Sequence, residues 1–586
     1  MSMEEFKNIS HYACDYVSKW AREKPQDIAI IDADDGKYIT WQQFENNINL
    51  RALELIDRGF KKGDVMITML PLIPEHIFME YAAFKIGMIV CPLDVRLKIK
   101  EAVRSVQGLK SARRILYVHP DDTDSEDKWG RKKYYIFKQI ADEIRKQCPY
   151  VRDFIQLGPQ EDAHKNTPGI LNWLKVAKQK WKNYTKDPTI FQQKMQLLES
   201  RKKDVDPEKD PAMIVYTTGS TGFPKPAMIH NAGIVCQNMC LVRGFGFRPD
   251  DMMLLNLPMS HVAGQTVGLM SIIYIGAMGV ILHGFQAPKS LQAIEDYKVT
   301  IFGQIPALFA MQWNLPDFEQ YDISSVRIAI YGAQGMSKPQ LEKFSNLAPK
   351  MATGLGMTEM CGFTSYQVGG KDKLEEFISG LGHDYPITPV SVRKPMHEDG
   401  TAGEELATGE VGEICYSGPQ VFLGYYDMPG ATAKTISKEG ILYTGDMGYV
   451  DETGLHLAGR RKFIIKPKGY QVYPPEVEEH LARHKSVALA GVIGVHHETY
   501  SEGVVAFIEF ERGKEASVAD LKAHCKSLAG YKRPSLFVFT RDVSTFEDGL
   551  MPLNRTEKTD YQLLKKAIVP IIEAERAAGR WDVVGS

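Results

Sequence analysis

Residues 216–225 read Tyr-Thr-Thr-Gly-Ser-Thr-Gly-Phe-Pro-Lys. The run offers the hydroxyls of Thr217, Thr218, Ser220 and Thr221, the glycines Gly219 and Gly222, and a terminal ammonium on Lys225. Glycine lets backbone N–H groups approach an anion, hydroxyls donate to phosphate oxygens, and lysine adds a point charge. The chemistry is that of a phosphate cradle, placed after residues 212–215, an apolar run that reads as a strand. The G-x-x-x-x-G-K-[ST] spacing of a Walker A loop is absent. Taken alone, the run also fits a surface turn rich in Ser, Thr and Gly.

Further polar segments follow in order: Tyr331-Gly332-Ala333-Gln334-Gly335, Gly356-Met357-Thr358-Glu359, Gly409-Glu410-Val411-Gly412-Glu413-Ile414, Gly424-Tyr425-Tyr426 and Tyr443-Thr444-Gly445-Asp446. Then come Gly459-Arg460-Arg461-Lys462, Gly469, and a late stretch from Pro552 to Lys558. Together with the first loop this set resembles the adenylate-forming superfamily of acyl-CoA synthetases, luciferases and peptide-synthetase adenylation domains. The resemblance runs from about Trp41 to about Lys565.

The resemblance implies an ATP-dependent, AMP-forming carboxylate–CoA ligase that works through an acyl-adenylate on a medium-chain, alicyclic or aromatic acid. ATP, Mg²⁺ and coenzyme A are the implied small molecules. It puts Thr217, Thr218, Gly219, Ser220, Thr221, Gly222 and Lys225 at the phosphates, and Gly332, Ala333, Gln334, Gly354, Leu355, Gly356 and Met357 around adenine. Thr358 would hold the α-phosphate, Glu359 the metal, and Asp446 with Arg460 the ribose. Lys558 would be the adenylation catalyst, and Lys466 and Gln471 would contact the adenylate. His261, Val262, Gly268, Gly303 and Gln304 would line the acyl side, with His261 as a gate. Gly469 and Tyr470 would face the thiol tunnel, and Lys462 would be the hinge. Glycines on the acyl side imply room for more than acetate. Four positions depart from the family pattern: Pro226 after the loop lysine, Leu355 where a tyrosine is usual, Leu553 in place of a lysine, and Glu557 in place of a glycine before the catalytic lysine. An acyl-AMP ligase serving a carrier-protein thiol and a non-catalytic nucleotide-binding homologue remain alternatives.

The 586 residues, 44% hydrophobic and 25% charged, suit a globular protein of two to four domains. A net charge of −2 gives no footprint for a nucleic-acid partner. None of the eight cysteines forms a C-x-x-C pair, so buried reduced thiols in a cytoplasmic protein are expected. The uncharged stretch 262–282 is broken by Gly276 and Gly279, and reads as a buried helix, a turn and a strand rather than a transmembrane segment. The reading leaves room for a homodimer.

Alternating strand and helix patterns predict an α/β fold: a large N-terminal domain, residues 1–459, of helix-wrapped sheets with a small β-rich subdomain. A small mobile α+β domain, residues 460–586, is expected to follow. Residues 120–210 read as a variable charged helical region, and 166–203 within it as an added surface helix or pair.

Overall fold

The computed structural model describes residues 1–110, 112–118, 137–157, 170–217, 224–336, 338–467, 470–554 and 558–582. Thr218, Gly219, Ser220, Thr221, Gly222, Gly469 and Glu557 lie outside the described residues, as does the acidic cluster at 121–127.

Two large sheets form the bulk of the chain. One has six strands in the order Asp153–Leu157, Ala112–Val118, Val65–Met69, Ile89–Pro92, Pro211–Tyr216 and Pro226–His230, parallel except for the last pair. The other has eight, with Met252–Leu255, Met278–Ile281, Ile301–Gln304, Ile328–Tyr331 and Lys350–Thr353 in its parallel part. All five residues of Val65–Met69 are buried, as expected of a strand covered on both faces.

The largest core cluster joins the sheets. Met66, Val90, Met213 and Val215 from the first share it with Ile30, Met253, Leu255 and Ile330 from the second. Helices fill the space between. Asn231–Phe245 buries every residue from Asn231 to Leu241 and ends on Gly246 at φ 68. A helix apolar all round belongs in such a layer. Thr40 opens the helix Trp41–Asp57 through a reciprocal capping box with Gln43, as its sequence suggested.

The stretch 262–282 resolves into a π-helix Ala263–Leu269, an α-helix Met270–Ile275, a left-handed Gly276 and the strand Met278–Ile281. A side chain at Gly276 would collide with the Trp20 ring at 2.6 Å. Among the described residues no helix is long and apolar enough to cross a membrane. All eight cysteines are free and buried.

Beyond these sheets come the antiparallel strands Val390–Arg393, Gly412–Tyr416, Leu442–Asp451 and Gly454–Arg460. A three-stranded sheet, Val487–His497, Ser501–Phe510 and Leu536–Phe539, then packs with Pro474–Ala482 and Tyr561–Ala577 as the small C-terminal α+β unit. The fold is thus the mixed α/β architecture expected.

The added segment is a helical hairpin, Ile170–Lys186 and Pro188–Lys203, with Asp187 capping the second helix. It is less solvated than its composition suggests. Ala177 and Trp181 pack on Leu50, Lys180 pairs with Glu54 and Asp57 at 3.0 and 2.8 Å, and Lys202 with Asp15 at 2.9 Å. Trp181→Ala should lower unfolding stability by about 1–2 kcal/mol, the loss of a half-buried ring. Hydrogen exchange should rise across 170–203; unchanged exchange there would contradict the docking.

Candidate functional site

The first loop is the connection of a β-hairpin. Tyr216 pairs with Pro226 across its base. Thr217 N–H donates to Lys225 O at 2.9 Å, and Lys225 N–H donates to Thr217 Oγ1 at 3.3 Å. Pro226 opens the return strand, where its carbonyl accepts from Tyr426 N–H at 2.8 Å. The lysine ammonium lies 4.5 Å from the centre of the Tyr425 ring.

Tyr425 connects this loop to the next group. Its hydroxyl donates to Glu359 Oε1 at 2.6 Å, and both residues are buried. Burial and the neighbouring carboxylate push the phenol well above the ordinary tyrosine range. Thr358 and Glu359 open a 3₁₀ turn, Thr358–Met360, directly after the two-residue strand Gly356–Met357. The glycine before it is obligatory: a Cβ on Gly354 would stand 1.9 Å from Ser365 O. Leu355 donates its N–H to Ser365 Oγ at 3.0 Å, and its side chain packs on the cluster containing Tyr425 and Phe422. Ala333, beside Gly332, holds a left-handed φ of 71.

A third group is built by an antiparallel ladder. Asp446 on Leu442–Asp451 is the register partner of Arg460 on Gly454–Arg460, and their side chains meet at 2.5 Å. Asp446 is 5% exposed, and that burial raises its carboxyl pKa against the pull of Arg460 and Lys558. Glu413 braces the same corner, accepting from Gly445 N–H at 3.0 Å and from Arg461 at 2.6 Å. Lys558 arrives from the far end of the chain, its backbone tied to Asn554 at 2.7 Å. Burial, then Arg460, push its ammonium pKa down to about 8, with Asp446 opposing. Lys462 is likewise pushed down to about 8, by burial and then by Arg460, with Lys565 and Lys225 adding to the effect and Asp446 opposing it.

On the acyl side His261 Nε2 stands 3.8 Å from Asp94 Oδ2, whose carboxyl pKa is held far below the usual range by His261 and Arg96 in spite of burial. Val262 is half-buried on the main core. The glycines do not open empty space. A Cβ on Gly268 would meet Leu255 Cδ2 at 3.0 Å, on Gly303 Met253 Cε at 3.5 Å, and on Gly332 Phe363 Cζ at 2.9 Å. The expected room is therefore lined closely by larger neighbours. Gln304 is a second correction. Gly303 faces Met253 and Ile330, so strand alternation turns Gln304 to the opposite face with Phe302. Both amide atoms of Gln304 are buried there without a partner.

The structure thus gathers Thr217, Lys225, Thr358, Glu359, Asp446, Arg460, Lys462 and Lys558 within linked contacts or electrostatic reach. It does not bring Lys466, Tyr470 and Gln471 to them. These three are exposed on the small unit: Lys466 N–H bonds Glu502, Gln471 Oε1 accepts from Tyr473, and Tyr470 stacks on Tyr531. Gln334 is also exposed. Tyr425, Glu413 and Asp94 were not assigned roles from sequence, although the first two stand inside motifs that had been noticed.

Comparison with known proteins fits this geometry. The profile of the AMP-binding enzyme family matches residues 17–426, and that of the AMP-binding enzyme C-terminal domain matches 476–550. The chain belongs to the AMP-binding enzyme family. It is 29% identical over 519 residues to a long-chain-fatty-acid–CoA ligase of Bacillus subtilis (strain 168), covering 87% of this chain and 88% of that one. It is 28% identical over 522 residues to 4-coumarate–CoA ligase 4 of Arabidopsis thaliana, covering 87% and 84%. Among solved structures, the anthranilate CoA ligase AuaEII in complex with anthranoyl-AMP superposes with a TM-score of 0.77 at 20% identity, covering 97% and 99%. ATP-bound MatB from Rhodopseudomonas palustris gives 0.75 at 21%, covering 96% and 100%.

Two outcomes are expected. Tyr425→Phe strips the Glu359 carboxylate of its buried donor and should raise KM for MgATP about tenfold; an unchanged KM would contradict the link. Lys558 is useful as an ammonium, and its depressed pKa means the proton is lost early. The apparent kcat/KM for ATP should therefore fall as pH rises through about 8, well short of the ordinary lysine value of 10.5. In Lys558→Arg the descending limb should move to higher pH, since a guanidinium keeps its proton. A wild-type profile flat up to the ordinary lysine range would contradict the assignment.

Proposed function

We propose that the protein is an ATP-dependent, AMP-forming carboxylate–CoA ligase. The observation that carries this reading is the meeting of Lys558, from the far end of the chain, with the Asp446–Arg460 pair. Lys225, Tyr425 and Glu359 form the adjoining wall.

A carboxylate is a weak electrophile, and adenylation gives it a good leaving group. A carboxylate oxygen attacks the α-phosphorus of ATP, the bond to the bridging oxygen breaks, and pyrophosphate leaves. The coenzyme A thiolate then attacks the acyl carbon and expels AMP. Asp446 accepts hydrogen bonds from the ribose hydroxyls. Lys558 spans the incoming carboxylate and the α-phosphate, where negative charge must be held together. Thr217 and Lys225 hold the outer phosphates. Glu359 offers a hard oxygen donor suited to Mg²⁺, which would neutralise the phosphate oxygens when bound.

Lys466 and Gln471, with Tyr470, stand away from this group and would serve the thiol step. The reading places a rotation of the small unit about Lys462 between the two half-reactions, a gating motion that exchanges one lysine for another.

The side chains crowding the glycines of the acyl side are Leu255, Met253, Ile330 and Phe363. They supply carbon surface and one aromatic ring and no cation, which favours an uncharged medium-chain, alicyclic or aromatic acid. Relatives named for a long-chain fatty acid and for 4-coumarate agree with an apolar acid.

The test is product analysis over a panel of acids with ATP, Mg²⁺ and either CoA or a phosphopantetheinylated carrier protein. AMP and an acyl-CoA thioester are expected; ADP as product would refute the reaction class, and thioester on the carrier alone would replace CoA. Lys558→Ala should slow adenylation by about 10²–10³-fold while leaving thioester formation from supplied acyl-AMP near wild type. Equal losses in both halves would sink the role given to Lys558.

A further inference from the structure

Lys462 has a second property that a pivot does not need. Its ammonium nitrogen is shut off from solvent and has no hydrogen-bond partner among the described residues. A buried ammonium without an anion is costly, and such groups are normally paired or lose their proton. The charged groups within reach are mostly of the wrong sign: Arg460, Lys565 and Lys225 all oppose it. Asp446, the carboxylate named among its described neighbours, already holds Arg460 at 2.5 Å.

The side chain is also held in place. Its nitrogen lies 4.7 Å from the centre of the Phe463 ring. That ring packs on Tyr561 with centroids 4.7 Å apart. The Tyr561 hydroxyl donates to Glu478 at 2.8 Å, and Glu478 also accepts from Val492 N–H at 2.7 Å. Tyr561 opens the helix that follows Lys558, so one aromatic stack braces both lysines.

We propose that the Lys462 ammonium is a ligand for the β- and γ-phosphates of ATP, and so for the departing pyrophosphate, presented only while the C-terminal unit is docked as seen here. The inference rests on the nucleotide site described above and deepens it. Lys225 is the proposed phosphate-loop cation, and it lies within electrostatic reach of Lys462, so the two ammoniums share one neighbourhood. Beyond the Asp446–Arg460 pair, an anion of high charge is what these cations lack. Because the residue sits at the proposed pivot, turning the small unit would withdraw the ammonium. Loss of pyrophosphate and rotation would then favour one another: the anion holds the docked state, and its departure leaves an unpaired buried charge that rotation relieves.

The experiment compares equilibrium binding of MgATP, Mg-pyrophosphate and AMP to wild type, Lys462→Met and Lys462→Arg, by calorimetry on the whole chain without acid. Methionine keeps the length and removes the charge. It should weaken MgATP and pyrophosphate binding about tenfold, leave AMP within about twofold, and let arginine restore the loss. The methionine variant should unfold no more easily than wild type, since it removes an unpaired charge. Unchanged MgATP affinity in Lys462→Met would overturn the proposal. So would parallel losses for ATP and AMP, which would mark a general disturbance of the pivot. A wild type that binds MgATP more tightly than AMP and shows this pattern, yet forms no AMP with any acid, would support the phosphate ligand while refuting the ligase reading.

Discussion

Lys225, Arg460, Lys462, Lys558 and Lys565 are drawn around three buried carboxylates in this protein, Asp446, Glu359 and Glu413. Like charges this close repel, and the burial of the Lys462 ammonium removes water that would screen it, while Arg460 and Lys565 stay exposed. The fold must supply the rigidity to hold them. It does so with strand ladders, a hairpin base and an aromatic stack rather than with ion pairs alone. Burial first and Arg460 second push the Lys558 and Lys462 ammoniums down, while burial raises the Asp446 carboxyl against the pull of its cations. A polyanion relieves the repulsion, which is why nucleotide chemistry follows more directly from the electrostatics than from any one side chain.

The large sheets serve this arrangement. They sandwich apolar helices, so their strands are fixed from both sides and their loop ends have little freedom. One buried carboxylate inside that layer is well supplied with partners, although Gln265 Oε1 and Gln237 Nε2 find none among the described residues. Gln265 donates to both oxygens of Glu80 at 2.8 and 2.9 Å, and His76 stands 3.0 Å from the same carboxylate. The contact ties the irregular π-helix Ala263–Leu269 to the helix Pro74–Lys85 through the Gln265 amide nitrogen.

Much of this was legible in the sequence because the signals are local. The strand before the phosphate loop, the Thr40 cap, the Gly276 break and the order of the motifs all lie within windows of a few residues. What was missed needs distance. Tyr425 bonds Glu359 across 66 positions, and nothing near either residue announces the partner. The burial of the Lys462 ammonium depends on Phe463 and Tyr561, about a hundred positions apart. Composition also misled in two places. The lysine-rich hairpin read as solvated because its docking face, Ala177 and Trp181, is narrow. Glycines on the acyl side read as space, and the sequence could not show that Leu255, Met253 and Phe363 stand next to them. The facing of Gln304 was recoverable: along a strand its side chain leaves the face opposite to the one on which Gly303 lacks a Cβ.

The register of the last ladder carries one more consequence. Asp446 and Arg460 are cross-strand partners, and Arg460 is the final residue of its strand, two positions before Lys462. If the small unit turns at that lysine, the ribose clasp stays with the stationary body while Lys558 swings away. A single nucleoside can then remain seated through both chemical events, and only the triphosphate tail needs to change company. The order of steps is thereby written into chain connectivity: what must stay is fastened upstream of the turning point, and what must leave is grasped from downstream.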